Sequence, residues 1–432
     1  MDACGALHIT APFSVTLPPR NIHRMPKISQ RGHDMPPSPI RKLVPYADAA
    51  KARGVHVYHL NIGQPDLPTP KEFLETVRRK APETIEYSPS GGFSSLVEKF
   101  AQYYRRLGLP VEGENLIVTT GGSEALLFSF MLCLDPGDEV IIPEPFYANY
   151  NGFAISSGAK VVPITTRIED NFDLPESGEF ERLITPRTKA ILICNPSNPT
   201  GKLYDQAALE KLRDIVKKHD LFLFVDEVYR EFVYGGQKHY SALKLEGIEQ
   251  NVVVVDSISK RYAACGARIG MMVSHNRQVM AAAMKFAQAR LSPPTLEQIG
   301  AEGLTDLPQS YFDEVNAAYV SRRDTMVREL RKIPGVVVPE ISGAFYAVVR
   351  LPVDDTEQFC QWILESFQYK GATLMVAPAS GFYSTPGLGR DEVRIAYVLE
   401  NPELVLAIEC LAEALKVYPG SKIATVATQT NQ

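Results

Sequence analysis

Lys260 is placed in this sequence where a lysine could do covalent chemistry. It follows Val252–Val255, a run of β-branched apolar residues typical of a strand buried on both faces of a parallel sheet. Such strands end at the carboxyl edge of the sheet, where open α/β folds bind ligands. A lysine amine there can form a Schiff base once desolvation and a nearby cation lower its pKa. Arg268 is a candidate for that cation, and the hydroxyls of Ser257 and Ser259 could bind a phosphate.

The same stretch also contains Ser257-Ile-Ser-Lys260, which is the Ser-x-x-Lys nucleophile pattern of penicillin-binding enzymes. Those enzymes also require a Lys-Thr-Gly further along the chain, and this sequence contains none. The string Tyr147-Ala-Asn149 resembles their middle motif, but it precedes the serine, which is the wrong order. A serine nucleophile is therefore not predicted.

Polar residues also follow three other predicted strands. The glycines of Thr120–Glu124 open a helix, where free backbone N–H groups can bind a phosphate. Two Asn-Pro pairs, at Asn195 and Asn198, favour an extended turn that aims their amides. Asp226 ends an apolar strand, and a buried carboxylate is costly unless a cation or a donor pairs with it. These positions all lie where ligands would be met.

Two further candidates are Tyr147, an aromatic residue after a strand, and Arg394, which begins a later one. A surface ion pair would also explain Arg394. The sequence has no Gly-x-Gly-x-x-Gly string and no Walker A motif, so the dinucleotide and nucleotide hypotheses lose their main support.

Seven short apolar strands, separated in most cases by amphipathic helices, predict an α/β fold with a mostly parallel sheet covered by helices. The strands are Leu116–Thr120, Glu139–Ile142, Lys160–Ile164, Ala190–Cys194, Leu221–Asp226, Val252–Asp256 and Ile269–Ser274. We expect residues 66–304 to form this large domain. Residues 305–432, with a hairpin-like pair at Gly335–Val338 and Ala344–Arg350, predict a smaller α+β domain completed by residues 40–65. Residues 1–39 would be an N-terminal arm.

The composition is that of an ordinary globular protein, with 432 residues, 45% hydrophobic and 22% charged, and a net charge of −5. This mildly acidic balance gives no reason to expect nucleic acid or an anionic membrane as partner. The six cysteines are scattered, which indicates free thiols in a reducing, cytoplasmic setting and no metal site. No apolar run approaches ~18 residues, so no membrane span is expected. Residues 1–24 weakly resemble a transit peptide, although a flexible arm fits equally well.

Taken together, these motifs resemble the class I/II aminotransferases that depend on pyridoxal phosphate (PLP), the aspartate aminotransferase fold family. The resemblance extends from about Gly63 to Tyr397. It rests on Gly-Gly-Ser-Glu-Ala, Asn-Pro-x-Asn-Pro-Thr-Gly, Asp-x-x-Tyr and Ser-x-Ser-Lys followed by Gly-x-Arg-x-Gly, in the family's order. It implies the fold type I of PLP-dependent transferases, a homodimer, and amino transfer between an amino acid and a 2-oxo acid.

The resemblance also implies roles for individual residues. Lys260 would hold the cofactor covalently and then act as the base that moves a proton, and Asp226 would pair with the pyridinium nitrogen. Tyr229 and Asn198 would hydrogen-bond the 3′ oxygen of the cofactor, while Tyr147 would stack on its ring. The catalytic residues would thus be Lys260, Asp226 and Tyr229.

The other residues expected to bind the cofactor are Gly122, Ser123, Glu124, Ser257, Ser259, Arg268 and, from the neighbouring subunit, Tyr87. Arg394 would bind the α-carboxylate of the substrate through a bidentate pair, with Gly63 and Asn198 close by.

The identity of the amino donor depends on one departure from the family. A branch with aspartate activity has a lysine where this chain has Ser123, and that lysine contacts the distal carboxylate. Aspartate remains the favoured donor and 2-oxoglutarate the favoured acceptor, with the distal carboxylate bound by another basic residue. The candidates for that residue are Lys285, Arg290 and Arg390.

Three alternatives remain open at this point. Aromatic donors would suit Tyr147, Phe345 and Tyr346 if these residues lie near the site. A carbon–sulfur lyase would use the same Lys260 and Asp226. A non-catalytic regulator would need a DNA-binding module, for which the N-terminal extension of ~24 residues is too short.

Overall fold

A computed structural model describes residues 26–423 of the chain. Its strands within those limits are β1 (His56–His59), β2 (Leu116–Thr120), β3 (Glu139–Glu144), β4 (Lys160–Thr165), β5 (Thr188–Cys194), β6 (Phe222–Asp226), β7 (Val252–Ser257), β8 (Ile269–Val273), β9 (Tyr346–Arg350), β10 (Ala372–Met375), β11 (Ala377–Pro378) and β12 (Glu392–Ala396).

The central sheet contains seven strands in the order β2-β8-β7-β6-β5-β3-β4. All neighbours pair in parallel except at β8, which is antiparallel to both β2 and β7. The predicted fold, a mostly parallel seven-stranded sheet, is confirmed. Because β8 is antiparallel to both of its neighbours, β2 runs in the same direction as the other five strands and ends at the same edge of the sheet.

The middle of the sheet is covered on both faces. Each of the four valines of β7 is at most 1% exposed, and alternate valines belong to two different apolar clusters. This burial explains the uninterrupted apolar sequence, since side chains on both faces of a covered strand avoid water. The polar residues that follow such strands therefore emerge at its carboxyl edge.

Helices cover this sheet and also form much of the chain outside it. They are α1 (Gln30–Asp34), α2 (Val44–Ala52), α3 (Lys71–Lys80), α4 (Ser94–Arg106), α5 (Gly121–Cys133), α6 (Asn149–Ser157), α7 (Ser177–Leu183), α8 (Gln206–His219), α9 (Ile258–Arg261), α10 (Arg277–Arg290), α11 (Thr295–Leu304), α12 (Gln309–Leu330), α13 (Thr356–Ser366) and α14 (Asn401–Val417). Side chains cap several starts. Asp205, for example, accepts a 2.8 Å hydrogen bond from the Ala208 amide at the start of α8.

Two smaller sheets lie outside the central one. β9, β12 and β11 form an antiparallel sheet, and β1 pairs in parallel with β10 more than 300 residues later. The predicted strand Gly335–Val338 is wrong, because only Val337 forms a bridge, to Arg350. The division into domains at residues 39, 65 and 304 stays a prediction.

No helix between residues 26 and 423 combines the length and the apolar character needed to cross a membrane. The transit-like segment 1–24 lies outside the described residues, as does most of the polar C-terminal tail.

Candidate active site

A cavity of about 650 Å³ opens at the carboxyl edge of the central sheet. Most of the predicted site residues line it, although they come from segments far apart in the chain. These are Gly63, Gly122, Ser123, Tyr147, Asn198, Asp226, Tyr229, Ser257, Ser259, Lys260, Arg268 and Arg394.

Lys260 lies in the short helix α9, directly after β7. The Ser257 hydroxyl caps this helix by accepting a 3.3 Å hydrogen bond from the Ser259 amide. The Lys260 Nζ donates to the Gly63 carbonyl oxygen at 2.9 Å, and the Cys265 Sγ lies 3.8 Å away. A carbonyl and a thiol leave the amine without a carboxylate partner among the described residues, so it is available for covalent chemistry.

Asp226 ends β6 with a buried carboxylate. It accepts hydrogen bonds from the Tyr150 hydroxyl at 2.8 Å and from the Val228 amide at 3.3 Å. No cationic side chain within residues 26–423 forms an ion pair with it, and burial raises the pKa of Asp226 to about 6. A buried carboxylate that faces a cavity and has no ion-pair partner among the described residues suits a ligand that brings a cationic N–H group.

Two tyrosines connect the walls of the cavity. The Tyr229 and Tyr346 hydroxyls lie 2.9 Å apart, and Tyr346 also donates to the Gly63 carbonyl oxygen at 3.3 Å. Burial raises the pKa of Tyr229 well above its ordinary value, which keeps the hydroxyl protonated and able to donate. A side chain at Gly63 would overlap Tyr346, so this position requires glycine.

Arg394 lies on β12 and is only 1% exposed. Its guanidinium donates to the Asn198 Oδ1 at 3.0 Å and to the Asn61 carbonyl oxygen at 2.6 Å. The rings of Tyr346 and Phe382 flank it at 4.6 and 4.7 Å, and its Nε has no partner among the described residues. Burial lowers the pKa of Arg394. The surface-pair alternative is wrong, and a carboxylate ligand would supply the counter-charge that neutral partners lack.

The start of α5 and Arg268 form a positively polarised corner. A side chain at Gly121, whose φ is +71°, would overlap the Arg268 guanidinium. A Cβ at Gly270 would lie 2.6 Å from the Gly122 amide nitrogen. These contacts hold β8 against the helix start, where amides without helical partners and the helix dipole favour an anion.

Two predicted cofactor residues lie elsewhere. Glu124 does not line the cavity, because its carboxylate accepts 2.8 Å hydrogen bonds from the Thr120 amide and from Arg290 and so ties the start of α5 to α10. Tyr87 is 80% exposed and lies on a separate groove with Thr120 and Pro293. Its contribution to a neighbouring subunit stays a prediction.

Most of the residues proposed from the sequence to bind the substrate side chain lie outside the cavity lining. Arg290 pairs with Glu124, Arg390 pairs with Asp355 at 3.0 Å, and Lys285 is also outside the cavity lining. Tyr346 lines the cavity, but Phe345 is fully buried against neighbouring rings. Sequence reasoning missed other lining residues, namely Ser38, Ile40, Arg41, Ile62, Gln64, Leu126, Asn149, Cys194, Val228 and Cys265. Most of these lie within a few residues of a predicted site residue or motif, which could have indicated them. The exceptions are Ser38, Ile40 and Arg41, which have no such motif near them in the sequence.

Known proteins provide an independent comparison. Residues 55–404 match the model of the family described as aminotransferase class I and II. An aspartate aminotransferase from Pyrococcus horikoshii is 32% identical over 83% of this chain and 91% of its own length. An aspartate/prephenate aminotransferase from Thermus thermophilus is 32% identical over 90% and 98% of the two chains.

Solved structures agree. A Thermus thermophilus aspartate aminotransferase determined with maleate aligns with a TM-score of 0.82 at 31% identity, over 90% of this chain and all of that one. An alanine aminotransferase from Pyrococcus furiosus aligns with a TM-score of 0.82 at 29% identity over the same shares. The fold is thus that of the PLP-dependent transferases of fold type I, and the chain belongs to the class I and II aminotransferase family.

Proposed function

We propose that this aminotransferase uses pyridoxal 5′-phosphate at the described cavity, with aspartate as amino donor and 2-oxoglutarate as acceptor. The carrying observation is that Asp226, a buried carboxylate without an ion-pair partner among the described residues, lines the same cavity as Lys260. Bound there, the cofactor supplies an electron-withdrawing ring that makes the α-proton of an amino acid removable.

Lys260 would hold this cofactor covalently, and its amine would then move the proton from the substrate α-carbon. Asp226 would keep the pyridine nitrogen protonated, and Tyr229 with Asn198 would hydrogen-bond the ring oxygen. Tyr147 would pack on the ring, and the corner made by Gly122, Ser123, Ser257, Ser259 and Arg268 would bind the phosphate.

Arg394 would bind the α-carboxylate common to all amino acid donors, because its planar fork matches a carboxylate. Gly63 would leave room beside it. The aspartate assignment is supported by the names of the relatives, and its test is the kcat/KM for aspartate divided by that for phenylalanine. A value below one would favour the aromatic alternative. Pyruvate release from cystathionine in place of glutamate formation would favour the lyase.

The protein would act as a homodimer in the cytoplasm. The five described cysteines are unpaired, which suits a reducing compartment. Tyr87, exposed in one subunit, would reach the phosphate of the other.

Borohydride trapping tests the cofactor assignment. The purified protein should absorb at about 360–430 nm, as protein-bound pyridoxal phosphate does. Reduction should attach the cofactor to the peptide that contains Lys260, and Lys260→Ala should abolish this covalent attachment while Lys285→Ala keeps it. A label on another lysine, or no absorbance after incubation with the cofactor, would refute the proposal.

A further inference from the structure

The charged side chains that line the cavity are unequal in sign. They comprise one carboxylate, Asp226, and the cationic residues Arg41, Lys260, Arg268 and Arg394. The proposed function assigns Lys260, Arg268 and Arg394 to the cofactor and the substrate α-carboxylate. Arg41 has no assignment, although it faces the space that a substrate would enter.

Arg41 belongs to a turn with defined contacts rather than to a free arm. Its backbone amide donates to the Ser38 hydroxyl at 3.3 Å, and the Val44 amide donates to its carbonyl oxygen at 3.0 Å. Lys42, the next residue, forms a 2.5 Å ion pair with Glu357. These bonds place the backbone of Arg41 at the entrance to α2.

Apolar contacts attach the same turn to the wall of the cavity. A side chain at Gly381 would overlap Pro39, so the two backbones approach closely there. Ile40 packs against a buried cluster that contains Phe382, whose ring also stacks on the Arg394 guanidinium at 4.7 Å. The turn that carries Arg41 is thus anchored beside the residue that would bind the α-carboxylate.

The Arg41 guanidinium itself is uncommitted. No hydrogen bond or ion pair of this side chain is formed with any of residues 26–423, and the residue is exposed. By contrast, the basic residues considered from the sequence are paired or lie outside the cavity, and Ser123 carries no charge. A ligand with a second carboxylate would supply the partner that the Arg41 guanidinium lacks among the described residues.

We infer that Arg41 is the substrate-binding residue for the distal carboxylate of a dicarboxylic amino acid or 2-oxo acid, within the same subunit that holds Lys260. The inference rests on the proposed function and adds to it the residue that selects the substrate class. A guanidinium fits a second carboxylate in the same bidentate manner as Arg394 fits the first.

The test compares Arg41→Gln with the parent in two measurements. The first is kcat/KM for aspartate and for alanine, which differ by the distal carboxylate. We expect a loss of about ten- to hundredfold for aspartate, since a hydrogen bond to a charged group is typically that strong, and a change within about twofold for alanine. Arg41→Lys should recover part of the aspartate rate, and Lys51→Gln, which removes an exposed cation outside the cavity lining, should resemble the parent.

The second measurement is binding without turnover. Isothermal titration of the cofactor-loaded protein with succinate and with butyrate should give a succinate Kd that rises about tenfold or more in Arg41→Gln, with butyrate nearly unchanged. Equal losses for aspartate and alanine, or for succinate and butyrate, would overturn the inference, because Arg41 would then support the turn. No loss for either dicarboxylate would also overturn it.

The two proposals can fail separately. A protein that transaminates no donor yet binds succinate through Arg41 would refute the proposed function and support the Arg41 assignment. A protein that transaminates alanine or phenylalanine, with no preference for succinate over butyrate, would refute the Arg41 assignment and leave amino transfer intact.

Discussion

Asp226 lies in an environment that a carboxylate ordinarily avoids. Its carboxylate is buried, has two hydrogen bonds, and has no ion-pair partner among the described residues. If it pairs with the cofactor nitrogen, Asp226→Ala should still bind the cofactor through Lys260 but lose stabilisation of the developing negative charge. We expect a barrier higher by ~3 kcal/mol, about a hundredfold in rate. Single-turnover rates of the loaded variant provide the measurement, and a near-normal rate would show that another residue faces the nitrogen.

The same carboxylate should make the cofactor-free protein sensitive to pH. Its pKa rises from 3.8 to about 6 on folding, chiefly through burial. The native state therefore binds more protons than the unfolded state between these values, and stability falls as pH rises through this window.

Asp226→Asn removes that titration. The unfolding free energy of the variant minus that of the parent should therefore increase by about 1 kcal/mol between pH 5 and pH 7.5. Urea unfolding of both apoproteins measures it, with exposed Asp313→Asn as the control for loss of a carboxylate. A gain that does not change with pH would contradict the raised pKa.

Arg394 tests recognition of the group that all donors share. Lysine keeps the charge at this position but not the planar fork. Arg394→Lys should retain the cofactor absorbance and lower kcat/KM for aspartate, alanine and phenylalanine by similar factors of about ten or more. A loss confined to one class of donor would mean that Arg394 contacts the side chain, and that the α-carboxylate is bound elsewhere.

At the scale of elements, the close approach of β8 to α5 positions the proposed phosphate corner. A Cβ at Gly270 would lie 2.6 Å from the Gly122 backbone nitrogen, and backbone cannot rotate away as a side chain can. Gly270→Ala should therefore destabilise the protein by about 1–3 kcal/mol and weaken cofactor binding, because α5 and Arg268 must separate. Gly266→Ala is the matched control, since its Cβ would meet no atom within 4 Å. Similar cofactor affinities in the two variants would argue against this packing role.

The elements were predictable where the pattern is local. The apolar runs and the glycine and Asn-Pro turns that bound them predicted β2 to β8, so the polar residues after those strands were expected at one edge. The run Val336–Val338 carried the same local pattern, yet it forms one bridge because a strand also needs a partner. Local pattern also cannot show that β1 pairs with β10, since the partner lies hundreds of residues away.

The part of the cavity wall that the sequence did not predict also depends on contacts between distant segments. Arg41 reaches it because Pro39 packs against Gly381 and Ile40 packs near Phe382, contacts that join opposite ends of the chain. No periodicity around residue 41 encodes these contacts. Glu124 shows the converse case, because its place in a motif suggested a cofactor contact, while tertiary packing pairs its carboxylate with Arg290. Motifs thus predicted the cavity residues that follow strand ends, while tertiary packing determines which other residues reach the cavity.

At the scale of the whole molecule, the exposed Tyr87 raises the question of a second subunit. Its side chain is 80% exposed, and Ile85 and Leu291 nearby are 63% and 51% exposed. The groove that includes Ile85 and Tyr87 also contains Thr120, the residue that precedes α5. An apolar surface next to the proposed phosphate corner is where a two-fold partner could both bury area and donate Tyr87.

Hybrid dimers test this arrangement directly. If Tyr87 acts across the interface, mixing Lys260→Ala with Tyr87→Phe chains creates dimers in which one site carries both defects and the other carries neither. Given an impaired Tyr87→Phe parent, activity should rise after subunit exchange, to nearly half the wild-type value per hybrid dimer. Mixing Lys260→Ala with Asp226→Ala is the control. Both residues line the cavity of one subunit, so each site of the hybrid dimer still carries one defect and activity should not rise. No rise in the first mixture, or a fully active monomer by sedimentation, would mean that Tyr87 serves its own subunit or none.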